Sequence, residues 1–206
     1  MSLIIKVCGM RDAENIRALE EQAKPDLMGF ICWERSPRFV SEVPSYLPKC
    51  PRVGVFVNPT LDYVLERSKA FGFSYIQLHG NELPDFCQEV RKKTGLKIIK
   101  AISIDKLSIV NCQLSIYEGI ADLFLFDTKC KTIGGSGQQF DWDILQSYKG
   151  ETPFLLSGGI GPEDAERIKH WHHPQCIGID INSRFETAPG IKDVAAIAKF
   201  AGILRF

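Results

Sequence analysis

The sequence predicts an α/β chain folded as a (β/α)8 barrel, a closed parallel eight-stranded sheet with its helices on the outside. Three observations predict it: short β-branched apolar runs alternate with helix-like segments, the runs number eight, and their starts are spaced almost evenly. Strict alternation demands a parallel sheet covered by helices, because parallel neighbours are joined only by a long crossover. Eight units in 206 residues come to about 25 residues each, the lower size range of such barrels. The whole chain, 1–206, is therefore read as a single barrel domain. An open doubly wound sheet is the competing architecture, but even spacing favours closure and no G-x-G-x-x-G opens the first helix.

The strand-like runs are 4–9, 27–33, 52–58, 75–80, 97–103, 122–129, 153–159 and 176–183. Their apolar, β-branched content bounded by turn residues supports each one. The helix-like stretches are 12–21, 61–71, 84–93, 142–148, 162–170 and 194–204, with weaker ones at 41–47 and 106–117. Pro162 followed by Glu163 and Asp164 is a good helix start, since proline suits the first position and acidic groups favour the positive end of the dipole. One interval breaks the rhythm: runs six and seven start 31 residues apart, whereas the others are separated by 22 to 25. The excess is a loop at 129–139 containing Gly134-Gly135-Ser136-Gly137, and long loops in compact domains are commonly functional.

Composition narrows the function classes. Lys+Arg and Asp+Glu both number 25, so no overall charge draws the molecule to nucleic acid or an anionic membrane, and any anion must be held locally. No apolar run approaches the roughly 18 residues of a membrane span. The N-terminus enters a strand without the basic region, apolar segment and cleavage site of a secretory signal, which reads as a cytoplasmic protein. Seven cysteines, Cys8, Cys32, Cys50, Cys87, Cys112, Cys130 and Cys176, stand singly without a C-x-x-C pair. That spacing disfavours a disulfide framework or a zinc knuckle.

In this fold chemistry is built at the C-terminal ends of the strands and in the loops that follow. The polar residues there are Lys6 and Cys8, Gln77 and His79, Asp127, Ser157, and Asp180 and Asn182. Period-two alternation puts Lys6 with Cys8, Gln77 with His79, and Asp180 with Asn182 on common faces expected to point inward. Lys6, Lys100 and Asp180 are read as an internal charge cluster, paired and structural, that also sets the electrostatics of the site. Gly134 to Gly137, Gly158-Gly159 and Asn182-Ser183 form small-residue turns able to expose backbone N–H groups to an anion, and in such barrels the loops after strands seven and eight frequently hold a phosphate.

Here the chain resembles the phosphoribosylanthranilate isomerase family along essentially its full length. The resemblance rests on Lys6-Val7-Cys8-Gly9-Met10, Gly29-Phe30 followed by Ser36-Pro37-Arg38-Phe39, and Val53-Gly54-Val55-Phe56-Val57-Asn58. It continues through Gln77-Leu78-His79-Gly80, Phe126-Asp127-Thr128-Lys129 with the glycine loop, Leu156-Ser157-Gly158-Gly159, and Gly178-Ile179-Asp180. The family reaction is an Amadori rearrangement of N-(5-phosphoribosyl)anthranilate, a small phosphosugar carrying anthranilate, in tryptophan biosynthesis. No cofactor and no metal are implied, and the oligomeric state implied is a monomer or homodimer. By resemblance Cys8 is the general base and Asp127 the general acid. The implied substrate contacts are Arg38, which suits the anthranilate carboxylate as a permanently charged planar fork, His79, Asp180, and the turn residues Gly135, Ser136, Gly137, Gly158, Gly159, Asn182 and Ser183. Arg35 rivals Arg38 for the carboxylate, and His79 reads equally as a structural histidine.

Two departures stand out. Ile31-Cys32-Trp33-Glu34-Arg35 replaces the aromatic, proline and lysine often found there, which bears on the anthranilate wall. Asn182-Ser183-Arg184-Phe185-Glu186 replaces a Ser-Ser-Gly-Val-Glu-like pattern, so Arg184 either strains a left-handed turn or adds charge near the phosphate. Competing readings are an indole-3-glycerol phosphate synthase or ribulose phosphate epimerase, an isomerase of a related phosphorylated aminosugar, and a catalytically silent phosphate- or partner-binding barrel. The synthase and epimerase fit poorly, since the N-terminal extension of the first and the metal-binding histidines of the second are missing.

Overall fold

In the computed structural model, which describes residues 3–104, 114–128, 139 and 141–205, eight parallel strands close in sequence order. They are β1 (Ile4–Val7), β2 (Leu27–Ile31), β3 (Arg52–Phe56), β4 (Tyr75–Leu78), β5 (Lys97–Ile104), β6 (Leu123–Thr128), β7 (Phe154–Leu156) and β8 (Cys176–Ile181). Closure pairs β1 with β8, setting Lys6 opposite Asp180.

Alternation along the strands separates two cores. Leu27, Val53, Val55, Ile99, Ala101, Leu123, Leu125 and Leu155 pack together inside the barrel. Their neighbours Met28, Phe56, Ile98, Phe124, Phe126 and Phe154 belong to the larger core between sheet and helices. The inner group is small and branched because the barrel interior is narrow, and the outer group carries the aromatic bulk.

The outer helices among the described residues are α1 (Ala13–Gln22), α2 (Leu61–Phe71), α3 (Pro84–Thr94), α4 (Ala165–His170) and α5 (Val194–Arg205). Their starts follow from capping: Asp12 accepts from the Asn15 backbone N–H at 2.8 Å, Thr60 from that of Tyr63 at 3.3 Å, and Asp193 from that of Ala196 at 2.9 Å. Pro84 occupies the first turn of α3, where its missing N–H costs nothing. None of these helices is long and apolar enough to cross a membrane.

Four expectations are corrected. The stretch 41–47 is not helical; Pro44 and Pro48 withhold N–H donors, and the Arg67 guanidinium takes the carbonyls of Val40 and Ser41 instead. Residues 142–148 form a 3-10 helix, Trp142–Ser147, and 162–170 begin as a 3-10 turn, Pro162–Asp164, whose Asp164 carboxylate accepts from the Gly161 N–H at 2.7 Å. Most of the weak 106–117 helix lies outside the described residues. Lys100 is not in a cluster with Lys6 and Asp180: it alternates with the inward-facing Ile99, so it points to the helix side of β5 and pairs with Glu82 at 3.0 Å.

The sequence reading also missed a small antiparallel hairpin after β8, formed by β9 (Glu186–Ala188) and β10 (Ile191–Lys192). The reciprocal bonds of Asn15 on α1 to the Lys192 backbone, at 2.8 and 2.9 Å, tie it to the barrel. His173 lies at the foot of β8, opposite the strand C-termini, stacked against Trp171 and close to Phe154.

Candidate active site

Lys6 and Cys8 leave β1 on its inner face. The Lys6 ammonium donates to Asp180 Oδ1 at 2.7 Å, both side chains being buried. Burial opposes the lysine charge, but Asp180 and Cys8 outweigh it and hold Lys6 above its ordinary value. Cys8 is 4% exposed, and its backbone N–H donates to Ile181 O at 2.9 Å, which pins it to the end of β8. A Cβ at Gly29 on β2 would stand 2.8 Å from the Cys8 sulfur, so glycine there makes room for the thiol. Burial pushes the Cys8 thiol up; Lys6 and Lys192 pull it the other way, while Asp180 adds to the rise.

The next residue shapes the mouth. Gly9 has φ +79°, and a Cβ on it would fall 2.8 Å from Asn182 Oδ1, 2.9 Å from Arg38 Cδ and 3.4 Å from Lys192 Nζ. Three side chains from distant parts of the chain therefore converge on the backbone that follows Cys8. Only glycine accommodates both that backbone angle and that crowding.

Arg38 is buried at the mouth, whereas Arg35 is exposed. Arg38 Nε donates to both Glu186 carboxylate oxygens at 2.9 Å, and Nη2 to Oε2 at 2.7 Å. Glu186 thus takes the Nε/Nη2 edge of the guanidinium. Lys192 donates to Glu186 Oε1 at 2.6 Å and to Asn182 Oδ1 at 2.7 Å. Burial pushes the Glu186 carboxyl up, but the bonds from Arg38 and Lys192 outweigh it and hold the group below its ordinary value.

Across the mouth, His79 Nε2 lies 3.3 Å from Asp127 Oδ2. The Gln77 amide nitrogen is 2.8 Å from His79 Nδ1. With that nitrogen donating, Nδ1 is the acceptor and the protonated Nε2 faces Asp127. Asp127 and His79 also reach Asp180 electrostatically, so the strand-end residues form one connected field.

The small-residue turns lie at the same end. Gly158 and Gly159 adopt φ +90° and +66° after β7, and Gln139 steadies them by donating to Gly159 O at 3.0 Å and to Asp164 at 2.5 Å. Ser183 opens a 3-10 turn, Ser183–Phe185. Gly135, Ser136 and Gly137 fall outside the described residues. Arg184 is not in a left-handed conformation, since Lys24 and Asn58 are the non-glycine residues with positive φ among those described; it pairs with Glu163 across the turn after β7. Trp33, Glu34 and Arg35 line an open cleft of 680 Å³ with Asn58, Pro59 and Tyr63.

Sequence reasoning thus named Cys8, Arg38, His79, Asp127 and Asp180, and the structure sets all five at one end of the barrel. It missed the roles of Gln77, Glu186 and Lys192 as neighbours of those residues, and of Gln139 as the partner of the turn at Gly159. The Pro189-Gly190 turn between Glu186 and Lys192 was the available signal for a hairpin.

A (β/α)8 barrel with a thiol, a carboxylate and an arginine fork at its strand C-termini defines a class, an acid–base enzyme for a small anionic substrate. The chain matches the family model of N-(5'phosphoribosyl)anthranilate (PRA) isomerase over residues 5–202. It is 50% identical to the N-(5'-phosphoribosyl)anthranilate isomerase of Phocaeicola vulgatus, with 98% of each chain covered. It is 47% identical to that of Parabacteroides distasonis, covering 96% of this chain and 91% of the relative. A solved phosphoribosyl anthranilate isomerase in complex with reduced 1-(o-carboxyphenylamino)-1-deoxyribulose 5-phosphate superposes with a TM-score of 0.76 at 25% identity, covering 97% of this chain and 96% of that one. The chain belongs to the phosphoribosylanthranilate isomerase family, the aldose–ketose isomerases of tryptophan biosynthesis.

Proposed function

We propose that the protein converts N-(5'-phosphoribosyl)anthranilate to 1-(2-carboxyphenylamino)-1-deoxy-D-ribulose 5-phosphate with Cys8 as general base and Asp127 as general acid. The convergence of Arg38, Asn182 and Lys192 on Gly9, directly beside Cys8, is the observation that carries this reading.

Asp127 donates its proton to the furanose ring oxygen, the C1–O bond breaks, and the anthranilate nitrogen forms a Schiff base with C1. That cation acidifies the C2 proton, which the Cys8 thiolate removes. The resulting enolamine becomes the C2 ketone as C1 gains a proton. Arg38 holds the anthranilate carboxylate through its Nη1/Nη2 edge. The Gly158-Gly159 and Asn182-Ser183 turns, with Gly135 to Gly137, hold the phosphate through backbone N–H groups. His79, steadied by Gln77, orients the Asp127 carboxyl toward the ring oxygen. On this reading the protein works in the cytoplasm as a monomer or homodimer on a free phosphosugar.

The test is loss of anthranilate fluorescence when freshly made phosphoribosylanthranilate meets the purified protein. Rapid loss with wild type, and rates lower by roughly 10²–10⁴-fold in Cys8→Ser and Asp127→Asn, are expected. Wild-type protein that binds a product analogue without turnover would support a silent barrel instead.

A further inference from the structure

Among the described residues three lysines are buried, Lys6, Lys100 and Lys192, and the acid–base pair leaves the last without a task. Lys6 is matched by Asp180 and Lys100 by Glu82. Lys192, whose side chain is 0% exposed, shares with Arg38 the carboxylate partner it has among the described residues. Among the described residues the Arg38–Glu186–Lys192 group sets two cationic side chains against one carboxylate.

We propose that Lys192 is a positioning residue for the isomerase reaction: clamped by Glu186 and Asn182 beside Gly9, its ammonium holds the Cys8 thiolate and fixes Glu186 so that Arg38 presents its free edge to substrate. The inference rests on Cys8 being the base and Arg38 the carboxylate anchor. It goes beyond that reading by giving the hairpin a task.

Geometry supports it from two sides, and the charges around Cys8 add a third. The 2.6 and 2.7 Å bonds to a carboxylate and an amide oxygen are those of a donating ammonium. Asn15 holds the Lys192 backbone at both its N–H and its C=O, so the side chain leaves from a fixed point. The groups acting on Cys8 include Lys6 on its own strand, Asp180 on β8 and Lys192 on β10; burial holds Lys192 below its ordinary value, with Glu186 on β9 and Cys8 favouring its charge and Arg38 after β2 opposing it, and Asp127 and His79 act on Asp180. Lys6 pulls hardest toward the thiolate and Asp180 works against it, and Lys192 brings a second positive charge to the cysteine from the hairpin.

The test titrates Cys8 by its ultraviolet thiolate absorbance, taken as the difference from the matching Cys8→Ser protein, alongside kcat/KM against pH. Lys192→Met is expected to raise the Cys8 midpoint by about one pH unit or more, carrying the rising limb of kcat/KM with it; Lys192→Arg restores most of the shift. Glu186→Gln keeps both cations and removes their anion, so the midpoint moves down while KM rises as Arg38 loses its holder. Glu186→Gln also decides the matter if Lys192→Met does not fold. Unmoved midpoints, or a shift upward in Glu186→Gln, would overturn the proposal. The thiolate titration needs no substrate, so it stands even if the isomerase assay fails.

Discussion

Lys100 and Lys192 are both buried lysines facing a glutamate, and they do different jobs. Lys100 donates to the carbonyls of Leu78, Gly80 and Ala101 and to Glu82, while Glu82 also accepts from the backbone N–H groups of Asn58 and Gly80. Each charge there is matched by the other, and the bonds tie β5 to the end of β4 and to the loop after β4. Lys192 divides one carboxylate with Arg38 and so leaves charge directed at the cysteine. On this reading the exclusive pair of Lys100 and Glu82 builds structure, whereas the shared carboxylate of Glu186 leaves Lys192 to act on the site.

The contrast is broken most severely at Lys100. Lys100→Met leaves Glu82 buried and unpaired, and denaturant unfolding should show a loss of about 3–5 kcal/mol, with kcat/KM of the folded protein unchanged. Lys192→Met should reverse the balance, losing less stability because Arg38 still holds Glu186, and more activity. Equal stability losses with equal activity losses would erase the distinction.

At the substrate edge, Arg38→Lys replaces a fork that serves Glu186 and a carboxylate together with a single ammonium. A charged hydrogen bond is worth about 1.5–3 kcal/mol, so KM should rise by roughly 10- to 100-fold; an unchanged KM would move the carboxylate site away from Arg38.

A pH effect on stability is also expected. Glu186 is held below its ordinary 4.5, so its contribution is fully present above that value and is lost as pH falls through the lower folded value. Glu186→Gln should therefore be less stable than wild type near neutral pH and converge on it in acid; a gap independent of pH would mean that the carboxylate charge contributes nothing. The smallest effect belongs to Arg184, whose pair with Glu163 is partly exposed. Arg184→Gly should change stability by about 1 kcal/mol or less, with any change in KM confined to phosphate-bearing ligands.

Much of this architecture was legible because strands and helices announce themselves locally. All eight barrel strands start within one residue of the positions read from apolar patterning, and α2 has the same bounds, Leu61–Phe71. The placement of Cys8 and Asp127 at strand C-termini was legible from the strand pattern alone, whereas their proposed roles came from the family resemblance. Glu186 and Lys192 were not, since β9 and β10 have three and two residues, too few for a period to show. The Arg38–Glu186 contact spans 148 residues, and nothing local records it. Lys100 was misplaced by a parity error: one step along a strand exchanges the barrel interior for the helix side.

The most direct test of the acid–base account is the pH dependence of kcat/KM in wild type and Asp127→Asn, followed by anthranilate fluorescence. The wild-type profile should be bell-shaped, as an essential base and an essential acid together require, and Asp127→Asn should keep the rise and lose the fall. A profile of the same shape in both proteins would contradict the assignment of Asp127 as the acid.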